Sequence, residues 1–221
     1  MVEQPPGQRG LTVKLRTARG RTTASQKWLQ RQLNDPYVRA AQQQGLRSRA
    51  AFKLIEIDDR FKLLKKGSKV IDLGAAPGGW AQIAVKRGAS VVGVDLLAID
   101  PVQGASFIQG DFTEDAVQAQ LRAMLGGGAD LVLSDMAPNT TGHNATDHIR
   151  IVNLAEAALE FALGMLVPGG GFVAKVFQGG SEKHLLDPMK RHFASVRHAK
   201  PQASRKESSE LYVVATGFRA A

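Results

Sequence analysis

The sequence predicts an α/β fold: a mostly parallel, seven-stranded sheet with helices on both faces and a helical extension at the N-terminal side. Three observations predict it. From Lys69 onward, short apolar runs alternate with amphipathic stretches. Those runs are close to continuous in Val, Ile and Leu, the pattern of strands covered on both sides. Between Ser25 and Lys69 the apolar spacing is helical, and no strand pattern occurs.

Residues 1–24 are rich in Gly, Pro, Thr and Arg and lack periodic apolar positions, so they read as a flexible basic tail. Residues 25–221 read as one domain, with N-terminal helices over 25–66 and the sheet core over 67–221. Ser25 is placed to cap SQKWLQRQL, and the Asp35-Pro36 step ends that helix. YVRAAQQQ forms the next helix, which Gly45 closes, and Ser48 opens RAAFKLIEIDDRF. In the core, KVIDLG is a strand, and Pro77-Gly78-Gly79 opens a helix through WAQIAVKRG. SVVGVD and SFIQGD are strands, TEDAVQAQLRAML a helix and ADLVLSD a strand. A long helix covers 147–166. GGFVAKVF is a strand, EKHLLDPMKRHF a helix, and SVRHAKP and ELYVVATGF are the closing strands.

Composition removes several function classes. The chain has no cysteine, which excludes disulfides, thiolate metal sites and cysteine nucleophiles. MVEQPPGQRG has no apolar stretch of the signal-peptide kind, and no uncharged apolar run reaches the roughly 18 residues of a membrane span. The expectation is a cytoplasmic protein away from membranes. The net charge of +9 is localised: residues 1–53 hold eleven Lys/Arg against Glu3 and Asp35, and the remainder holds eighteen of each sign. A neutral core behind a cationic arm suits a polyanion, and Arg16, Arg19, Arg21, Lys27, Arg31, Arg39, Arg47 and Arg49 are candidate phosphate contacts. Arg205 and Lys206 could border the same groove. With 6% aromatic residues, extensive stacking on bases is not expected.

A parallel sheet binds ligands beyond the carboxyl ends of its strands. That singles out the strand-end acids Asp72, Asp95, Asp111 and Asp135. In DLGAAPGGW, Gly74, Gly78 and Gly79 allow a close backbone approach, and the helix opening near Gly78 turns free N–H groups toward an anion. The glycine spacing is neither the dinucleotide pattern nor the P-loop, since Trp80 stands where the P-loop lysine belongs. Asp95 is placed to accept from ribose hydroxyls and Asp111 from an adenine amino group. A nucleoside with an amino-acid tail, S-adenosylmethionine, fits all three features. Each acid taken singly could instead cap the turn that follows it.

SDMAP follows the fourth strand, where it lacks the proline-aromatic clamp of base-amino methyltransferases. With no cysteine for carbon methylation, the target shifts toward a hydroxyl oxygen. Lys175 lies within the apolar strand GFVAKVF, where a charge is unexpected. Partly desolvated or near other cations, its amine would have a depressed pKa and could accept or steer a hydroxyl proton. Lys53 could supply the neighbouring charge, Asp135 could balance the cluster and Glu210 could orient a lysine. Taken singly, Lys53 reads as an exposed helix lysine, and Glu210 carries no strong signal either.

YVRAAQQQGLRSRAAFKL, DLGAAPGGW, Asp95-Leu96-Leu97, QGDF, SDMAPN, VAKVFQG and RKESSELYVVATG follow one another over about residues 27–218. In these blocks the chain resembles the FtsJ/RrmJ-type ribose 2′-O-methyltransferases of large-subunit (23S) ribosomal RNA. The resemblance implies a Rossmann-like, S-adenosylmethionine-dependent methyltransferase. It implies a Lys-Asp-Lys-Glu tetrad at Lys53, Asp135, Lys175 and Glu210, and cofactor contacts at Gly78, Trp80, Asp95, Asp111 and Asp135. It further implies methylation of a uridine ribose in the A-loop of 23S rRNA, within the large ribosomal subunit. A monomer is expected. The polar stretch GHNATDHIR would be a mobile substrate loop. No metal is expected, because the sulfonium leaves as a neutral thioether and the spacing of His143 and His148 makes no H-x-x-x-H pair. The competing readings are a small-molecule O-methyltransferase, a noncatalytic ribosome-assembly factor on the same fold and, last, a nicotinamide dehydrogenase.

Overall fold

The computed structural model describes residues 14, 20, 22–137, 144–178, 183–205 and 207–220. Almost all of the basic tail over 1–24 lies outside the described residues, with Arg16, Arg19 and Arg21 in it. So do Pro138 to His143, the end of VFQG at Gly179, and Lys206.

The extension consists of α1 (Thr23–Asn34), α2 (Pro36–Gln43) and α3 (Ala50–Phe61). α1 starts two residues earlier than the sequence reading had it. Thr22 is its cap, and the Thr22 hydroxyl accepts from the Ser25 N–H at 3.2 Å, so Ser25 receives the cap rather than supplying it. Asp35 both ends α1 and caps α2, accepting from the Tyr37 N–H at 3.0 Å with Pro36 in the first turn. α3 begins at Ala50 and Ser48 makes no cap bond, which frees the Ser48 hydroxyl to pack against Gly79.

The core strands are β1 (Lys69–Leu73), β2 (Ser90–Asp95), β3 (Ala105–Gln109), β4 (Ala129–Ser134), β5 (Leu166–Phe177), β6 (Phe193–Ala199) and β7 (Glu210–Phe218). The helices between them are α4 (Gly79–Lys86), α5 (Asp115–Leu125), α6 (Asn144–Met165) and α7 (Lys183–His192). The sheet order is β3-β2-β1-β4-β5-β7-β6, with β7 antiparallel to both neighbours and every other pair parallel. Strand order reverses between the parallel neighbours β1 and β4, and such a switch point, at the carboxyl ends of the strands, is where folds of this kind bind ligands.

Strand periodicity sorts the side chains into two cores. Ile71, Leu73, Val92, Val132, Phe172 and Ala174 face α5, α6 and α7. Their neighbours Val70, Val91, Leu131, Leu133, Val173 and Val214 face α2, α3 and α4. By the same alternation Asp72, Lys175 and Tyr212 fall on the side of α3 and α4, which is how the charged groups come together. α6 starts at Asn144 rather than 147, so part of the polar stretch 142–150 is helix. Asp111 does not end a strand: β3 stops at Gln109, and Asp111 lies in the turn beyond it. Among the described residues, no helix is long and apolar enough to cross a membrane.

Candidate active site

Four elements bring one polar cluster together. Asp135 follows β4, Lys175 lies on β5, Glu210 and Tyr212 on β7, and Lys53 one turn into α3. The Lys175 Nζ donates to the Asp135 main-chain oxygen at 2.6 Å and to Asp135 Oδ1 at 3.0 Å. The Lys53 Nζ pairs with Glu210 Oε1 at 2.8 Å and stands 3.7 Å from the same Asp135 oxygen. The four residues singled out in the sequence therefore meet. The two amines meet at a shared carboxylate instead of lying against each other. Lys53 is no surface lysine: it is 7% exposed and Lys175 8%.

Tyr212 was missed. Its hydroxyl donates to Asp135 Oδ1 at 2.6 Å and accepts from the Lys53 Nζ at 3.0 Å, which puts it at the centre of the cluster. Its place two residues after Glu210 on the last strand was the available signal, because alternate strand residues share a face. Ser204, also missed, donates to Glu210 Oε1 at 2.7 Å. α3 holds this corner through a second residue. Glu56, three positions after Lys53, accepts from the Ala203 N–H at 3.0 Å and from the Gln202 N–H, and so anchors the loop leading into β7.

The electrostatics follow from burial and partners. Burial alone would raise the Asp135 carboxyl. The Lys175 and Lys53 ammoniums and the Tyr212 hydroxyl outweigh it and hold the group below the ordinary range. Burial, then Asp135 and Glu210, push the Tyr212 phenol well above its usual value, so it remains a donor at neutral pH. Asp72 is the reverse case. Burial chiefly, with Asp135 and Asp95 adding, pushes its carboxyl up to about 8. Its Oδ2 is buried without a hydrogen-bond partner.

The glycine turn lies against this cluster. A Cβ on Gly74 would stand 2.4 Å from Met136 Cγ, so the turn and the segment after β4 are in contact. Gly74 and Gly78 have φ of +72° and +99°, a region L side chains avoid. The glycines also meet demands from the protein itself, since added Cβ atoms on Gly78 and Gly79 would strike Arg47 Nη1 at 2.9 Å and Ser48 Oγ at 2.4 Å. The Trp80 indole is buried in the core and donates to the Ala50 carbonyl at 2.8 Å, so toward a ligand Trp80 can present only its backbone. Asp95 accepts from the Ala76 and Leu97 N–H groups, both at 2.9 Å, and Asp111 accepts from the Thr113 N–H and hydroxyl. Both acids do cap local turns; each carboxylate still has lone pairs for a ligand.

Two of the candidate phosphate contacts are turned inward. The Arg47 guanidinium donates to the carbonyls of Pro77 at 3.0 Å, Asp100 at 2.5 Å and Pro101 at 2.6 Å, tying the glycine turn to the loop after β2. Arg49 pairs with Asp35 at 3.0 Å and donates to the Ala203 carbonyl, and Arg205 lies 3.6 Å from Asp35. In each case a nearby acid or carbonyl competes successfully with solvent. Arg31 remains exposed.

The residues present fit S-adenosylmethionine. The orphan oxygen of Asp72, the α4 N-terminus and the acids at 95 and 111 lie beside or just beyond the carboxyl ends of β1, β2 and β3, with donors and acceptors suited to a cationic nucleoside. Fold and site together define a methyltransferase that uses that cofactor. The chain belongs to the FtsJ-like methyltransferase family, whose model matches residues 46–218. It is 72% identical over 218 residues to "Ribosomal RNA large subunit methyltransferase E" of Granulibacter bethesdensis, covering 98% of this chain and 95% of that protein. The protein of the same name from Acidiphilium cryptum is 61% identical over 221 residues, with 99% and 98% covered. A crystal structure from Plasmodium falciparum, provisionally assigned as a ribosomal RNA methyltransferase, superposes with a TM-score of 0.71 at 31% identity, covering 78% of this chain and 98% of that one.

Proposed function

We propose that this enzyme methylates a ribose 2′-hydroxyl of large-subunit ribosomal RNA, with the A-loop uridine of 23S rRNA as the target. The observation that carries the reading is the buried Lys175–Asp135–Lys53–Glu210 cluster lying against the glycine turn. The relatives named above as large-subunit rRNA methyltransferases support the substrate class.

When bound, S-adenosylmethionine would supply an electrophilic methyl group on a sulfonium, whose neutral thioether leaving group needs no acid. Asp95 and Asp111 would hold the nucleoside of that cofactor, the backbone at Gly78 and Trp80 would meet its carboxylate, and Asp135 would face its positive charge. Lys175 binds the incoming hydroxyl oxygen and fixes the direction of its lone pair. With the thioether as leaving group, the oxygen would take the methyl group and its proton would leave to solvent, since the Lys175 ammonium, donating to Asp135, has no lone pair to accept it; the part of Lys175 is to steer the oxygen lone pair. Lys53, Glu210 and Tyr212 position Asp135, and through it Lys175. The N-terminal helices over 25–66 and the tail over 1–24 serve as the RNA-facing part of the domain.

The test supplies labelled S-adenosylmethionine with intact large subunits, protein-free ribosomal RNA and a panel of small hydroxyl compounds. Label on a ribose 2′-oxygen of the RNA is expected. Label confined to a base or to a small molecule would contradict the reading.

A further inference from the structure

A second cationic surface lies at the opposite rim of the sheet. A groove of about 620 Å³ opens at the amino-terminal ends of β1, β4 and β5, and Lys62, Lys65 and Lys66 of the α3–β1 loop stand along it. A smaller groove of about 300 Å³ shares Phe61 and Thr216 with it and adds Arg60 and Arg197. Among the described residues no carboxylate is ion-paired with any of these five cations. Asp130, the acid in the lining, accepts from the Lys69 N–H at 2.7 Å and sets one negative charge against the three lysines of the groove.

β4 measures the separation from the active site. Asp130 is at one of its ends and Asp135 follows the other, a span of five residues or about 17 Å. No small substrate reaches from one rim to the other. A folded RNA does.

We propose that this groove is a second phosphate-backbone site, which holds a part of the ribosomal RNA remote from the methylated ribose. The inference rests on the RNA reading given above. The chemistry favours phosphate over a protein partner. Lysine is depleted from protein–protein contacts, whereas unpaired lysines along a groove are the usual means of neutralising a nucleic-acid backbone. Gly169, Gly170 and Gly171 of β5 line the groove with main chain in place of bulky side chains, and Gly169 is exposed there. The site contributes affinity and no sequence choice.

The test compares the wild-type enzyme with the triple variant Lys62→Asn, Lys65→Gln, Lys66→Gln. Asparagine is used at 62 because that residue has φ +55°, which it tolerates. Binding to intact large subunits and to protein-free large-subunit rRNA is titrated over a salt series. Methyl transfer is measured in parallel, and calorimetry measures cofactor affinity. The triple variant should bind both RNAs about tenfold more weakly at low salt, with the slope of log K against log salt shallower by about 2 to 3. Its KM for subunits should rise while kcat and cofactor affinity stay unchanged. Unaltered RNA affinity and salt slope would overturn the proposal. A loss seen with subunits but not with protein-free RNA would overturn it too, by pointing to a ribosomal protein. Failure of the wild type to label RNA would contradict the activity reading and leave the binding comparison to decide the groove.

Discussion

Lys175 and Tyr212 are Cα partners across the antiparallel β5–β7 pair, and both donate to the same oxygen, Asp135 Oδ1, at 3.0 Å and 2.6 Å. The strand register therefore fixes the geometry of the candidate catalytic amine. A one-residue slip of β5 would send Lys175 to the opposite core, and a slip of β7 would do the same to Tyr212.

Tyr212→Phe keeps the ring that packs 5.7 Å from Trp80 but removes the hydroxyl shared by Lys53 and Asp135. A stability loss of about 1–2 kcal/mol is expected, because a buried ammonium and a carboxylate each lose a partner. Turnover should fall by one to two orders of magnitude with cofactor affinity nearly unchanged. Denaturant melts and steady-state kinetics on RNA check both parts.

Asp135→Asn takes the negative charge from between two buried amines. Breaking a buried pair of this kind costs up to about 3–5 kcal/mol, and methyl transfer should be lost. The wild-type group shows the linked acid effect. Its folded-state pKa lies below 3.8, so its stabilising contribution is present above about pH 4 and is lost as pH falls through the lowered value. Acid melts of the variant should lack that component.

Asp72 has the opposite sign. Its folded-state pKa is raised from 3.8 to about 8, so its contribution is complete below about pH 4 and is withdrawn as pH rises to about 8. Asp72→Asn, which has the shape of the protonated acid, should become steadily more stable than the wild type across that window. The gain is capped at several kcal/mol by about 1.4 kcal/mol per pKa unit. Urea melts from pH 4 to 9 measure it, and parallel curves for the two proteins would contradict the assignment.

Arg47→Lys cannot reproduce a planar fork on three carbonyls. The glycine turn and the loop after β2 should loosen, and the cofactor Kd should rise by about tenfold with a smaller change in kcat, since Arg47 does not touch the tetrad. Calorimetry with S-adenosylmethionine gives the answer directly.

The strands were readable because both of their faces are apolar, so each appears in the sequence as an unbroken run, and β7 matches the reading from Glu210 to Phe218. Lys175 stood out for the same reason, as a charge inside such a run. Lys53 did not, since a helix lysine looks alike whether it faces solvent or Glu210. Only the packing of α3 against β7 separates the two cases. Arg47 and Arg49 were read as phosphate contacts because charge is visible in a sequence and a folded-back carbonyl or Asp35 is not. Tyr212 and the orphan oxygen of Asp72 depend on strand register and on what covers the sheet, neither of which is a local property.

The most direct test of the central claim is methyl transfer by Lys175→Ala, measured together with calorimetric binding of S-adenosylmethionine. The account predicts unchanged cofactor affinity and a fall in turnover of at least a thousandfold, roughly the scale of a lost positioning group. Near-normal label on the ribose from this variant would contradict it.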